Sequence, residues 1–287
     1  MTVGLCQVTK CSRLVLVTAS YAARRCPTLG PVSPDQQRAL SFGVVVHLVR
    51  FGIIVAGLWL APLVGITGWY MGLFVNVLCG LYAAALMTHY GLWRASGILT
   101  LWRGGTAAAL VLVLLAEALF WILPDGLDNE PPGFALWGLT LLLVGFNEEL
   151  ISRGVVLSRQ RRSFSAVPAV LTTAALFGLQ HLSAFATSDR GTYDIVTNVL
   201  VSATYGFALA AFQYRFAWIW PLVLIHSLAD FTTILTRSDH GDLVVAGLVA
   251  VFVVLGVVIL RGLSREGASG EDALSPHPHG RSATRSQ

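Results

Sequence analysis

The chain has 287 residues, of which 55% are hydrophobic and 12% charged, and a net charge of +4. Soluble domains carry roughly 25% charged residues, so a mean hydropathy of +0.70 excludes a soluble enzyme and indicates an all-α, polytopic membrane protein. The basic excess lies in short loops between apolar runs rather than in one patch, which argues for membrane topology and against a nucleic-acid partner.

Residues 1–40 read as a basic cytoplasmic arm, with Lys10, Arg13, Arg24, Arg25 and Arg38 around an apolar piece from Leu14 to Ala23. That piece is too short for a span, which takes about 20 residues. Ala22-Ala23-Arg24-Arg25 is a weak cleavage site, so a retained arm is expected rather than a processed signal. Cys6, Cys11, Cys26 and Cys79 show no CxxC spacing and read as free thiols.

Eight apolar segments follow, at 42–61, 69–88, 106–123, 134–158, 167–187, 195–213, 216–236 and 242–261. Assigning alternate loops to one side gathers all of the 19 Lys and Arg residues there except Arg50, Arg190 and Arg237. By the positive-inside rule that side is cytoplasmic and holds both termini. The tail at 262–287, rich in Ser, Gly, Pro and charge, is expected to be disordered. His277 and His279 within it are too few for a closed metal site, which usually takes about four ligands. No internal repeat is visible, which counts against a transporter built from duplicated halves.

Three polar clusters interrupt the apolar spans. In the fourth span, Glu148 and Glu149 are adjacent and therefore point about 100° apart on a helix. Glu149 lies four residues before Arg153, the favourable order for a helical ion pair. Glu148 is left without a partner on its own helix and free to act on another group. The fifth span places Phe177 and His181 on one face, and the seventh does the same for His226 and Asp230. Ionisable groups inside a bilayer point to function by default.

Helical rise puts His181, His226 and Asp230 at similar depths, about 14 to 20 Å from the cytoplasmic ends of their spans. Glu148 reaches that depth only if its helix continues to about residue 163. Arg50 and Glu117 also share a depth, so a structural pair between them is expected. Asn76, Asn198 and His47 are expected to hydrogen-bond between helices.

Glu148-Glu149-Leu150-Ile151-Ser152-Arg153, Phe177-Gly178-Leu179-Gln180-His181 and His226-Ser227-Leu228-Ala229-Asp230, in that order on separate helices, resemble the motifs of the CAAX prenyl protease and bacteriocin-processing family, the type II CAAX prenyl endopeptidases. The resemblance covers roughly residues 134–236. It implies a catalytic four-helix core there; the three accessory helices at 41–133 and the last helix at 237–261 are read from hydropathy and lie outside it. It also implies peptide-bond hydrolysis in the bilayer, with Glu148 and His181 activating a water. His226 and its neighbour Asp230 would stabilise the oxyanion, while Glu149, Arg153 and Phe177 would shape the site. Asp230 stands where the family has Asn, and an ionised Asp cannot donate to an oxyanion. Either it carries a proton, or it orients His226 and leaves that ring as the donor.

By ligand type alone, Glu148, His181, His226 and Asp230 could bind zinc, but there is no His-Glu-x-x-His and the resemblance favours a mechanism without a cofactor. The expected partners are the lipid bilayer and a peptide or membrane-protein substrate. The oligomeric state is not readable from the sequence. The rival functions are a membrane scaffold or immunity protein that binds without cutting, and a proton-coupled small-solute transporter.

Overall fold

The computed structural model describes residues 32–273. The amino-terminal arm to residue 31, with its apolar piece and three of the cysteines, lies outside the described residues, as does the tail from 274 with its two histidines. Between these limits the chain forms eight helical passages: α1 (Pro34–Leu63), α2 (Tyr70–His89), α3 (Gly105–Phe120), α4 (Phe134–Gln160), α5 (Ala166–Thr187), α6 (Thr192–Phe216), α7 (Ile219–Leu235) and α8 (Asp242–Ala273).

Six of them are long and apolar enough to cross a membrane, and α3 and α7 are shorter apolar helices. Their 16 and 17 residues cover about 24 and 26 Å, against a hydrocarbon core of about 30 Å. Six of the eight expected spans thus have full spanning length, and the other two are shorter apolar helices. Apolar sequence continues past Phe120, but the backbone leaves the helix in turns at Ile122 and Leu123 before Pro124. At the other end, Ala217 adopts a left-handed φ of 46°, so α7 starts only at Ile219.

Two helix ends also differ from their expected places. α1 begins at Pro34, inside the expected arm, because Ser33 and Gln36 form a reciprocal capping box with Pro34 behind it. α8 runs on to Ala273, past the expected end at 261.

α4 is the central element. It packs against α2 and α7, and its carboxy-terminal half also touches α1, α5 and α6. Glycines allow the close approaches. A Cβ on Gly145 of α4 would collide with the Ser227 hydroxyl and lie 2.8 Å from the Val223 carbonyl of α7. One on Gly178 of α5 would lie 2.6 Å from Ala203 Cβ on α6. Small residues at such crossings draw helix axes together where no hydrophobic force does so, and here they seat α4 on α7 and α5 on α6. Large apolar side chains such as Trp59, Leu112 and Leu243 remain exposed around the outside, the surface expected of a protein solvated by lipid.

Candidate active site

α4 is not uniform. It is α-helical over Phe134–Glu149, a π-helix over Leu150–Val156, and α-helical again over Leu157–Gln160, with a turn carrying the chain to Ser163. The helix therefore does extend past Arg153, the condition that the depth of Glu148 required. π-Helical segments are rare and concentrate at functional positions; this one carries Arg153 and starts directly after the two glutamates.

The two glutamates point to different sides. Oε1 of Glu149, a fully buried residue, lies 2.9 Å from Nη1 of Arg153 and 2.8 Å from Nδ1 of His226. The carboxylate accepts, so the His226 Nδ1–H donates and its Nε2 is turned the other way. Arg153 is itself buried and stacks its guanidinium 3.9 Å above the Phe177 ring, a placement stabilised by the ring quadrupole. Phe177 also meets the edges of His181 and His226.

Glu148 is held from other helices. Arg50 of α1 donates from Nη2 to Oε1 at 2.7 Å, and Gln180 of α5 donates from Nε2 to Oε2 at 3.0 Å. The same Arg50 donates from Nε to Asn147 at 2.9 Å, and Asn147 donates to Asn76 of α2. His226 Nε2 lies 3.9 Å from Glu148 Oε2 and 3.6 Å from Asp230 Oδ2, beyond direct hydrogen bonds. His181, half-buried, donates from Nδ1 to the Phe177 carbonyl at 3.0 Å, which leaves Nε2 as an acceptor.

Residues 130–232 match the model of the Rce1-like family, described as type II CAAX prenyl endopeptidase Rce1-like. This segment of the chain is similar to that family. It begins just before α4, ends inside α7, and contains all three motifs. No curated protein and no solved structure matches the chain.

The matched segment supplies Glu148, Glu149, Arg153, Phe177, His226 and Asp230 to one cluster, with His181 at its edge. Arg50, which fixes Glu148, and Asn76, which anchors Asn147, come from α1 and α2 outside it. Three expectations are corrected here. Glu148 is not a free carboxylate but carries Arg50 and Gln180. Arg50 does not pair with Glu117, whose Oε1 instead accepts from the Trp121 indole one turn along α3. Of the residues expected to bridge helices, Asn76 does so, Asn198 accepts from Ser202 on its own helix, and neither ring nitrogen of His47 is hydrogen-bonded.

The geometry also bears on Asp230. The group that orients His226 is Glu149 at 2.8 Å, whereas Asp230 lies on the Nε2 side, 30% exposed at its side chain. Among the described residues no three His, Cys, Asp or Glu side chains are grouped so as to hold a metal ion. Gln180 is the functional neighbour that sequence reasoning passed over. Its signal was present, as an amide directly before the motif histidine in an apolar span.

Proposed function

We propose that the protein is an intramembrane endopeptidase in which Glu148, with His181, activates a water for attack on a peptide bond. The observation that carries this reading is the placement of Glu148 in the segment that matches the Rce1-like family, held by one donor on each carboxylate oxygen and facing His226 Nε2. Arg50 and Gln180 each use one lone pair and fix the plane of the group, so a water can still donate to it. His181, with Nδ1–H committed to Phe177, offers Nε2 to the same water.

The water gives one proton to this pair as its oxygen bonds to the carbonyl carbon. The carbonyl oxygen becomes an oxyanion beside His226. Donation from His226 Nε2 while Nδ1–H is held by Glu149 requires the ring to carry both protons. The intermediate then expels the amine, which takes that proton back, and leaves a carboxylic acid that gives the water's second proton to solvent as the two products depart. Glu149 and Arg153 position His226 without touching the reacting atoms.

The substrate is a peptide or a membrane-protein segment, prenylated or not. The chain sits with both termini in the cytoplasm, as its basic loops indicate. The test is incubation of pure wild-type and Glu148→Ala protein with a defined peptide library, cleavage being read by mass spectrometry. Cleavage by the wild type alone supports the proposal. Equal cleavage by both proteins, or none by either, overturns it.

A further inference from the structure

A groove of about 330 Å³ runs between α1 and α5, with His47, Arg50 and Gln180 among its lining and Leu48, Leu179 and Leu182 as apolar walls. These leucines are exposed on mid-helix faces, so the groove opens sideways toward the bilayer. His47 is only 8% exposed, and both of its ring nitrogens and Oε1 of Gln180 are buried without a hydrogen bond. The Gln180 amide lies within hydrogen-bonding reach of the imidazole, but the contact falls short of good hydrogen-bond geometry and leaves both groups with bonding capacity to spare. Such orphans are rare in native interiors, because each forfeits bonds it had in water.

We propose that this groove seats the extended backbone of the peptide substrate, with His47 and Gln180 as its hydrogen-bonding partners. The inference rests on the endopeptidase reading and adds the place where substrate lies. A lipid tail would suit the leucine walls but satisfy none of the three polar atoms. A peptide unit brings one N–H and one C=O, and a neutral imidazole offers one acceptor and one donor. Oε1 of Gln180 accepts a further N–H, and the substrate's apolar side chains rest on the leucines. Gln180 also joins the groove to the site, since its Nε2 donates to Glu148. A backbone bound there runs past the candidate base. His47 is thus a substrate-binding residue supplied by a helix outside the segment that matches the Rce1-like family.

The test uses the full chain in phosphatidylcholine nanodiscs with the same peptide library as probe. With Leu48 replaced by photoreactive benzoylphenylalanine, irradiation attaches peptide, identified by mass; the same replacement at the remote Leu112 attaches only lipid. His47→Phe keeps the ring but removes both nitrogens. It should lower peptide attachment and kcat/KM about tenfold, the size of one lost hydrogen bond, while His47→Gln, with a donor and an acceptor, restores most of both. Attachment of phosphatidylcholine alone at Leu48 makes the groove a lipid site and overturns the proposal, as do unchanged attachment and kcat/KM in His47→Phe. Cleavage without peptide in the groove leaves the proposed activity standing and refutes the groove. Peptide in the groove without cleavage does the reverse.

Discussion

The two neighbouring glutamates of α4 are held by different halves of the molecule. Glu149 is tied to Arg153 and His226, both inside the segment that matches the Rce1-like family, and its side chain is fully buried. Glu148 is tied to Arg50 from α1 and Gln180 from α5, both of which line the groove between those helices, and retains slight exposure. The difference separates two tasks that one residue cannot perform together. A carboxylate that fixes two cationic or ring partners in the interior builds the site, and one fixed from outside with lone pairs to spare can work in it.

The largest expected effect falls on the working member. Glu148→Gln keeps an acceptor for Arg50 but cannot take a proton, so kcat/KM should fall by about a thousandfold or more, with thermal stability in detergent little changed. A similar loss of stability for both glutamates would erase the distinction. Glu149→Ala should act the other way round. It strands buried Arg153 and unmoors His226, a change of about 3–5 kcal/mol, visible as a collapsed melting temperature and poor recovery of folded protein.

Arg50→Ala probes the dependence of Glu148 on the accessory helices. It should lower kcat/KM by about ten- to a hundredfold, and Arg50→Lys should recover only part, since a point charge cannot reach Asn147 and Glu148 together. If Arg50→Ala cleaves at the wild-type rate, the matched segment positions its base unaided. The smallest effect belongs to Phe177→Leu. It removes the face under Arg153, about 1 kcal/mol by cation–π strength, and should lower the melting temperature by a few degrees with modest loss of activity.

Much of this arrangement was legible in the sequence, for reasons that also mark its limits. Hydropathy located every helix, and the spacing of four residues found the Glu149–Arg153 pair because both partners sit on one helix. That spacing is blind to other helices, so the bond from Arg50 to Glu148, 98 positions apart in the chain, was invisible. Depth counting did no better for Arg50 and Glu117, since equal depth says nothing of which way each side chain points around its helix. Glu117 turns toward Trp121, and Arg50 turns toward α4. The π-helical segment and the ring nitrogen by which His226 meets Glu149 depend on packing that no local pattern encodes. Asp230 was left between two roles by sequence, and only the position of Glu149 shows which group orients the ring.

Hydrolysis by water at Glu148 is tested most directly by a single-turnover reaction in water enriched in heavy oxygen, using a peptide cleaved by the pure protein. The wild type should place one heavy oxygen in the newly formed carboxylate, and Glu148→Gln, folded to the same melting temperature, should form no product on that time scale. Product from Glu148→Gln at the wild-type rate, or wild-type product without the heavy oxygen, would contradict the assignment of Glu148 as the water-activating base.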